Sequence, residues 1–117
     1  MGVDGYLAKP VSKDNLVNKL QEVYQAKTTK HDKKTVLMID DDMSYLKQLN
    51  NMLCDSYNII MINSAKLALN YLMKNTPDVI LLDYQMPLYN GANIMNMIQK
   101  NPDRKPVPVI ILSGTLD

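Results

Sequence analysis

The sequence predicts an α/β fold built on a parallel sheet, and three observations carry that expectation. Apolar strand-like runs alternate with amphipathic helical stretches along the whole chain. The run Val79-Ile80-Leu81-Leu82 has no polar alternation, as expected of a central strand buried on both faces. Two strands also end in acid: Asp83 follows that run, and Asp40-Asp41-Asp42 follow Thr35–Ile39. Open α/β sheets bind ligands beyond the carboxyl ends of their strands. A lone strand-end aspartate reads most simply as a loop cap. A second strand with the same layout turns the reading toward a site.

Each element follows from local pattern. Val3–Ala8 reads as a short strand that Lys9-Pro10 ends, because proline cannot continue the ladder. Ser12 suits an N-cap, Asp14 suits the first turn, and Leu16, Leu20, Val23 and Tyr24 share one face, so a helix is expected over about 13–26. Residues 27–34 (KTTKHDKK) contain nothing apolar and read as a solvated linker; a nucleic-acid arm is disfavoured by Asp32 and by the lack of nearby aromatics. Beyond the Val36–Ile39 strand, Leu46, Leu49, Met52 and Leu53 mark a helix. Tyr57–Ile62 is a strand, and Ser64 caps a helix burying Ala65, Ala68, Leu69 and Leu72. The 78–83 strand, a turn through Met86-Pro87, a helix over about 92–100 with Ile94, Met97 and Ile98 as core, and a strand at Val107–Leu112 complete the series.

Bulk properties narrow the function. A chain of 117 residues suits one domain, and 46% hydrophobic with 21% charged residues is ordinary for a globular protein. A net charge of +1 gives no reason to expect nucleic acid or an acidic membrane as partner. No apolar stretch approaches a membrane span and the start is not a signal peptide, so a cytoplasmic location is expected. The single cysteine, Cys54, cannot form an internal disulfide; its helical context reads as a core or boundary thiol rather than a nucleophile. His31 belongs to no metal-ligand cluster.

Four strand-end motifs then come together: Ile39-Asp40-Asp41-Asp42, Asp83-Tyr84-Gln85-Met86-Pro87 with Gly91, Leu112-Ser113-Gly114, and Tyr6-Leu7-Ala8-Lys9-Pro10. Together they resemble the receiver domain of bacterial two-component response regulators. The resemblance implies a flavodoxin-like (CheY-like) doubly wound sheet of five parallel strands. The order departs from the family, because here the Lys-Pro strand and its helix come first. Residues 1–26 correspond to the family's last strand and helix, 27–34 join the old termini, and 35–117 carry the first four strands and three helices. The chain thus resembles a circularly permuted single domain lacking the fourth helix. A rearranged domain and a segment straddling two tandem receivers both produce this order; the Met directly before the first strand favours rearrangement.

The resemblance also implies a chemistry. Asp83 is the phosphoacceptor for a phosphohistidine of a sensor histidine kinase or phosphotransfer protein. Asp41 is a direct ligand of Mg²⁺, Asp40 a ligand through water, and the Gln85 backbone carbonyl a further oxygen. Asp42 reads as a helix cap. Lys9 pairs with phosphoryl oxygens, the Ser113 hydroxyl donates to another, and Gly114 leaves room for the donor. Gln85 and Thr115 tune hydrolysis, and Tyr6 is the switch aromatic. The module is no enzyme beyond its own phosphorylation and dephosphorylation. With the fourth helix gone, one sheet face near Val109, Ile111, Val3 or Leu7 is expected to lose its cover, which argues for a homodimer, simple or swapped. The rival reading is an engineered scaffold that no longer signals. An aspartyl-phosphate phosphatase fits less well, since D-x-D arises here only from the triplet, and a flavin site lacks its phosphate loop.

Overall fold

The computed structural model describes residues 4–9, 11–23, 33–83 and 107–113. These form Gly5–Ala8 (β1), Lys13–Val23 (α1), Lys34–Ile39 (β2), Met43–Leu53 (α2), Tyr57–Ile62 (β3), Ala65–Lys74 (α3), Val79–Asp83 (β4) and Val109–Ser113 (β5). The strands make one sheet in the order β1-β5-β4-β2-β3, and every pairing is parallel. The first strand of the chain therefore lies at one edge, beside the last.

Period-two alternation divides the core in two. Val36, Met38, Val79, Leu81, Ile110 and Leu112 cluster with Leu16 and Leu20 of α1 and with Leu46, Leu49 and Leu53 of α2. Leu37, Ile39, Ile80, Leu82, Val109 and Ile111 cluster with Ala65, Ala68 and Leu72 of α3. Helices thus cover both faces, and the central strands β4 and β5 are buried at every residue. Leu16 and Leu20, one helical turn apart and at 0% and 1% exposure, anchor α1. Burying each contributes roughly 1.5–3 kcal/mol. Ser12 caps α1 through Asn15 N–H, and Ser64 caps α3 through Leu67 N–H. Gly5 faces the stem of Lys19 from α1, whose Cδ would stand 2.9 Å from a Cβ there and could swing aside.

Several expectations are corrected. The last strand begins at Val109 and runs through Ser113, not over Val107–Leu112. Pro108 has no N–H for the ladder, although its carbonyl accepts Ile80 N–H at 3.0 Å. Leu69 is half-buried rather than core. Cys54 is exposed at the C-cap of α2, past the helix's last inward position at Leu53. The sheet face expected to lose its cover does not do so at Val109 and Ile111, which are 1% and 2% exposed. Leu7 packs with the other face, beside α1 and α2. What remains open on the edge strand is Tyr6, 61% exposed, and Ala8. Val3, most of the 27–34 linker, the Met86-Pro87 turn and the helix expected over 92–100 lie outside the described residues, as do 24–26. Among the described residues, no helix is long and apolar enough to cross a membrane.

Candidate functional site

The acidic triplet after β2 splits into three roles. Asp40 continues the β2–β3 ladder by donating its N–H to the Ile62 carbonyl at 3.2 Å, and its side chain is buried at the sheet's carboxyl end. Its Oδ1 accepts Asp42 N–H at 2.9 Å. Asp42 turns the other way and caps α2, its Oδ1 accepting from Ser44 N–H at 3.0 Å and Tyr45 N–H at 3.3 Å. Asp41, between them, is exposed. The helix-cap expectation for Asp42 is met.

Asp83 closes β4 one strand away, 5% exposed and in register with Leu112 of β5. Oxygens of Asp40, Asp41 and Asp83 lie within 4.8 Å of one another. Ser113 ends β5, also 5% exposed, and pairs in register with Ala8. Lys9 follows β1, and its N–H donates to the Ser113 carbonyl at 2.9 Å, extending the ladder by one residue. The carboxyl ends of four adjacent strands therefore deliver Lys9, Ser113, Asp83 and Asp40 side by side.

Electrostatics ties them together. Lys9 Nζ donates to Asp40 Oδ2 at 2.7 Å and stands 3.5 Å from Asp83 Oδ1. Partial burial works against the Lys9 charge. The Asp40 hydrogen bond and charge, then those of Asp83, outweigh it and raise the pKa above the ordinary 10.5. Lys9 is thus an ammonium at neutral pH. Three carboxylates against one ammonium leave the cluster net negative, and an oxygen-only donor set fits a hard divalent cation.

A residue that local sequence pattern does not single out completes the arrangement. The Tyr45 ring lies under Lys9, its centroid 4.8 Å from Nζ, and its hydroxyl accepts Val11 N–H at 3.4 Å. The signal available was an aromatic three residues past the Asp42 cap, which reads equally well as a boundary core residue. Tyr6 is not drawn into the acid cluster; it points outward from β1. Gln85, Gly114 and Thr115 lie outside the described residues.

This arrangement agrees with what the chain is similar to. The sequence profile of the response regulator receiver domain matches residues 36–117. A probable cyclic di-GMP phosphodiesterase of Vibrio cholerae is 35% identical over 80 residues, covering 68% of this chain. The chain spans 18% of that relative's own length. The N-terminal domain of a response regulator receiver protein from Methanoculleus marisnigri JR1 superimposes with a TM-score of 0.65 at 28% identity, over 70% of this chain and 68% of that one. The BeF3-activated DrrB receiver domain gives 0.63 at 26% identity, over 73% and 69%. With the parallel five-stranded sheet and the acids at its carboxyl end, these matches show that the chain belongs to the receiver domain family of two-component response regulators.

Proposed function

We propose that Asp83 is a phosphoacceptor, taking a phosphoryl group from the phosphohistidine of a histidine kinase or phosphotransfer protein. The observation that carries this reading is one ammonium, Lys9, in contact with two of three carboxylates gathered at the strand ends. A carboxylate oxygen of Asp83 attacks phosphorus, the P–N bond breaks, its electron pair stays with the imidazole nitrogen, and an acyl phosphate forms. Such a transfer asks the protein mainly for alignment and charge neutralisation. Lys9, already 3.5 Å from Asp83, would pair with the phosphoryl oxygens, and the Ser113 hydroxyl would donate to another. Asp40, Asp41 and Asp83 would hold Mg²⁺, with the Gln85 carbonyl as a further oxygen. Bound there, the ion would neutralise charge between acceptor and donor. Asp40, with both oxygens occupied by protein donors, suits a contact through water, and the exposed Asp41 suits a direct one. Gln85 and Thr115 would tune hydrolysis, Gly114 would admit the donor, and Tyr6 would follow Ser113 as the switch.

The same proposal covers the chain's organisation. Residues 1–26 act as the family's last strand and helix, 27–34 as the joining segment, whose last residue Lys34 already opens β2, and 35–117 as the rest of one receiver. Supporting this, the family match starts at residue 36, yet β1 from outside it pairs with β5 and Lys9 reaches Asp40. Self-association would use the open edge at Tyr6 and Ala8. A phosphoryl group drawn from ATP through a kinase puts the reaction in the cytoplasm.

Incubation with Mg²⁺ and acetyl phosphate tests the reading. An acid-stable, base-labile mass gain of one phosphoryl group is expected, and it vanishes in Asp83→Asn. No gain in the parent protein leaves the rival reading, a receiver scaffold that no longer signals.

A further inference from the structure

Lysine carries a compact charge on a flexible four-carbon stem, so its usefulness at a reacting centre depends on what holds it. Here the acids hold the head from one side. From the other side it meets the Tyr45 ring, with Nζ at 4.8 Å from the centroid, inside the roughly 6 Å range of a cation–π contact. Tyr45 grips the chain a second time, two residues on, where its hydroxyl accepts Val11 N–H at 3.4 Å. The ring's own place is set by the acidic turn: Asp42 Oδ1 accepts Tyr45 N–H while Asp42 N–H donates to Asp40 Oδ1. Asp40, Asp42, Tyr45 and Lys9 thus form a closed circuit that joins the N-terminal strand to the acidic turn of β2. When a phosphoryl group arrives on Asp83, Lys9 must leave part of its pairing with the acids. The ring is then the partner that does not compete for its charge.

We infer that Tyr45 is a positioning residue for Lys9, holding the ammonium between Asp40 and Asp83 by its ring face and tethering the following backbone by its hydroxyl. This inference rests on the phosphoacceptor reading for its effect on rate, but not for its geometry. The plain alternative is that Tyr45 only packs at the border of the core, where it touches the α1–α2 cluster.

The test uses Tyr45→Leu and Tyr45→Phe, each alone and with Lys9→Gln, in the full chain. With acetyl phosphate and Mg²⁺, Tyr45→Leu is expected to slow phosphorylation of Asp83 about two- to fivefold, and Tyr45→Phe to recover most of that loss. In the Lys9→Gln background Tyr45→Leu should cost nothing further, because a positioning residue acts through what it positions. An unchanged rate in Tyr45→Leu, an equal loss in both backgrounds, or a Phe variant as slow as Leu overturns the inference. If the parent protein takes up no phosphoryl group, the phosphoacceptor reading fails by itself, and NMR of the Lys9 ε-methylene decides the geometry. Ring-current shifts present in the parent and Tyr45→Phe but absent from Tyr45→Leu support the placement; unshifted Lys9 resonances in the parent overturn it.

Discussion

Strands β1 and β4 begin alike and end differently. Asp78, just before β4, donates its N–H to the Thr35 carbonyl at 2.9 Å, and its Oδ2 accepts Thr35 N–H at 2.7 Å. Asp4, just before β1, makes the same pair of bonds with Val109, at 2.8 and 2.9 Å. Each aspartate is a clasp that fixes register against the neighbouring strand. Yet β4 is buried at all five residues, whereas β1 buries only Gly5 and leaves Tyr6 and Ala8 open. The edge strand is held by its clasp, by half-buried Leu7 and by the helix it leads into, not by burial on two faces. It nevertheless carries Lys9. The cation of the candidate site therefore hangs on an edge strand with two of its four residues exposed, and its acids on strands with buried cores.

The two strands should part most clearly when the anchor of α1 is removed. Leu20→Ala should cost about 2–5 kcal/mol. Hydrogen exchange should then show β1 amides opening well before those of β4, and the Lys9–Asp40 ion pair should break together with them. Equal loss of protection in both strands would mean that α1 and β1 are not a separable unit.

The two clasps sharpen the point with smaller changes. Asp78→Ala, at a half-buried position, should lower stability by about 1–2 kcal/mol, and Asp4→Ala, at an exposed one, by about 0.5–1 kcal/mol. Their consequences for the site should run in reverse. Asp4→Ala should displace Lys9 and slow Asp83 phosphorylation, while Asp78→Ala should leave that rate nearly unchanged. Denaturant melts and acetyl phosphate kinetics on the same samples compare the two.

The smallest effect is alkaline. The pKa of Lys9 is raised by its acids against the opposing pull of burial, and those of Tyr45 and Tyr57 are raised chiefly by burial. In each case the folded state favours the protonated form. That contribution is complete below the ordinary values of 10.0 to 10.5 and is lost as pH rises through the raised ones. Melting temperature should hold up to about pH 10 and fall above it. Lys9→Met should remove the part of the fall that belongs to Lys9.

Most of this fold was legible because its signals are local. Continuous apolar runs marked β2 and β3, period-three-to-four apolar spacing marked α2 and α3, and Ser64 and Asp42 announced their helices. The acids at the ends of β2 and β4 were legible for the same reason, since a buried apolar run that stops in aspartate is visible in a few residues. Three features were not. The start of β5 depends on which backbone donors the ladder needs, and Pro108 supplies none. The clasps of Asp4 and Asp78 read only as the first polar residues of their strands until the partner strand is known. Tyr45 gains its place under Lys9 only because β1 docks beside β5, a long-range event that no window of sequence contains.

On the proposed reading, the N-terminal strand supplies the working cation of a site whose acids lie in the family-matched part of the chain. Comparing the rate of Asp83 phosphorylation by acetyl phosphate in the parent protein and in Lys9→Gln tests it most directly, with Mg²⁺ affinity measured alongside. The account predicts a fall of about 10²-fold with Mg²⁺ binding retained. A rate in Lys9→Gln within about twofold of the parent, well inside the fall expected on removing such a charge interaction, would contradict it.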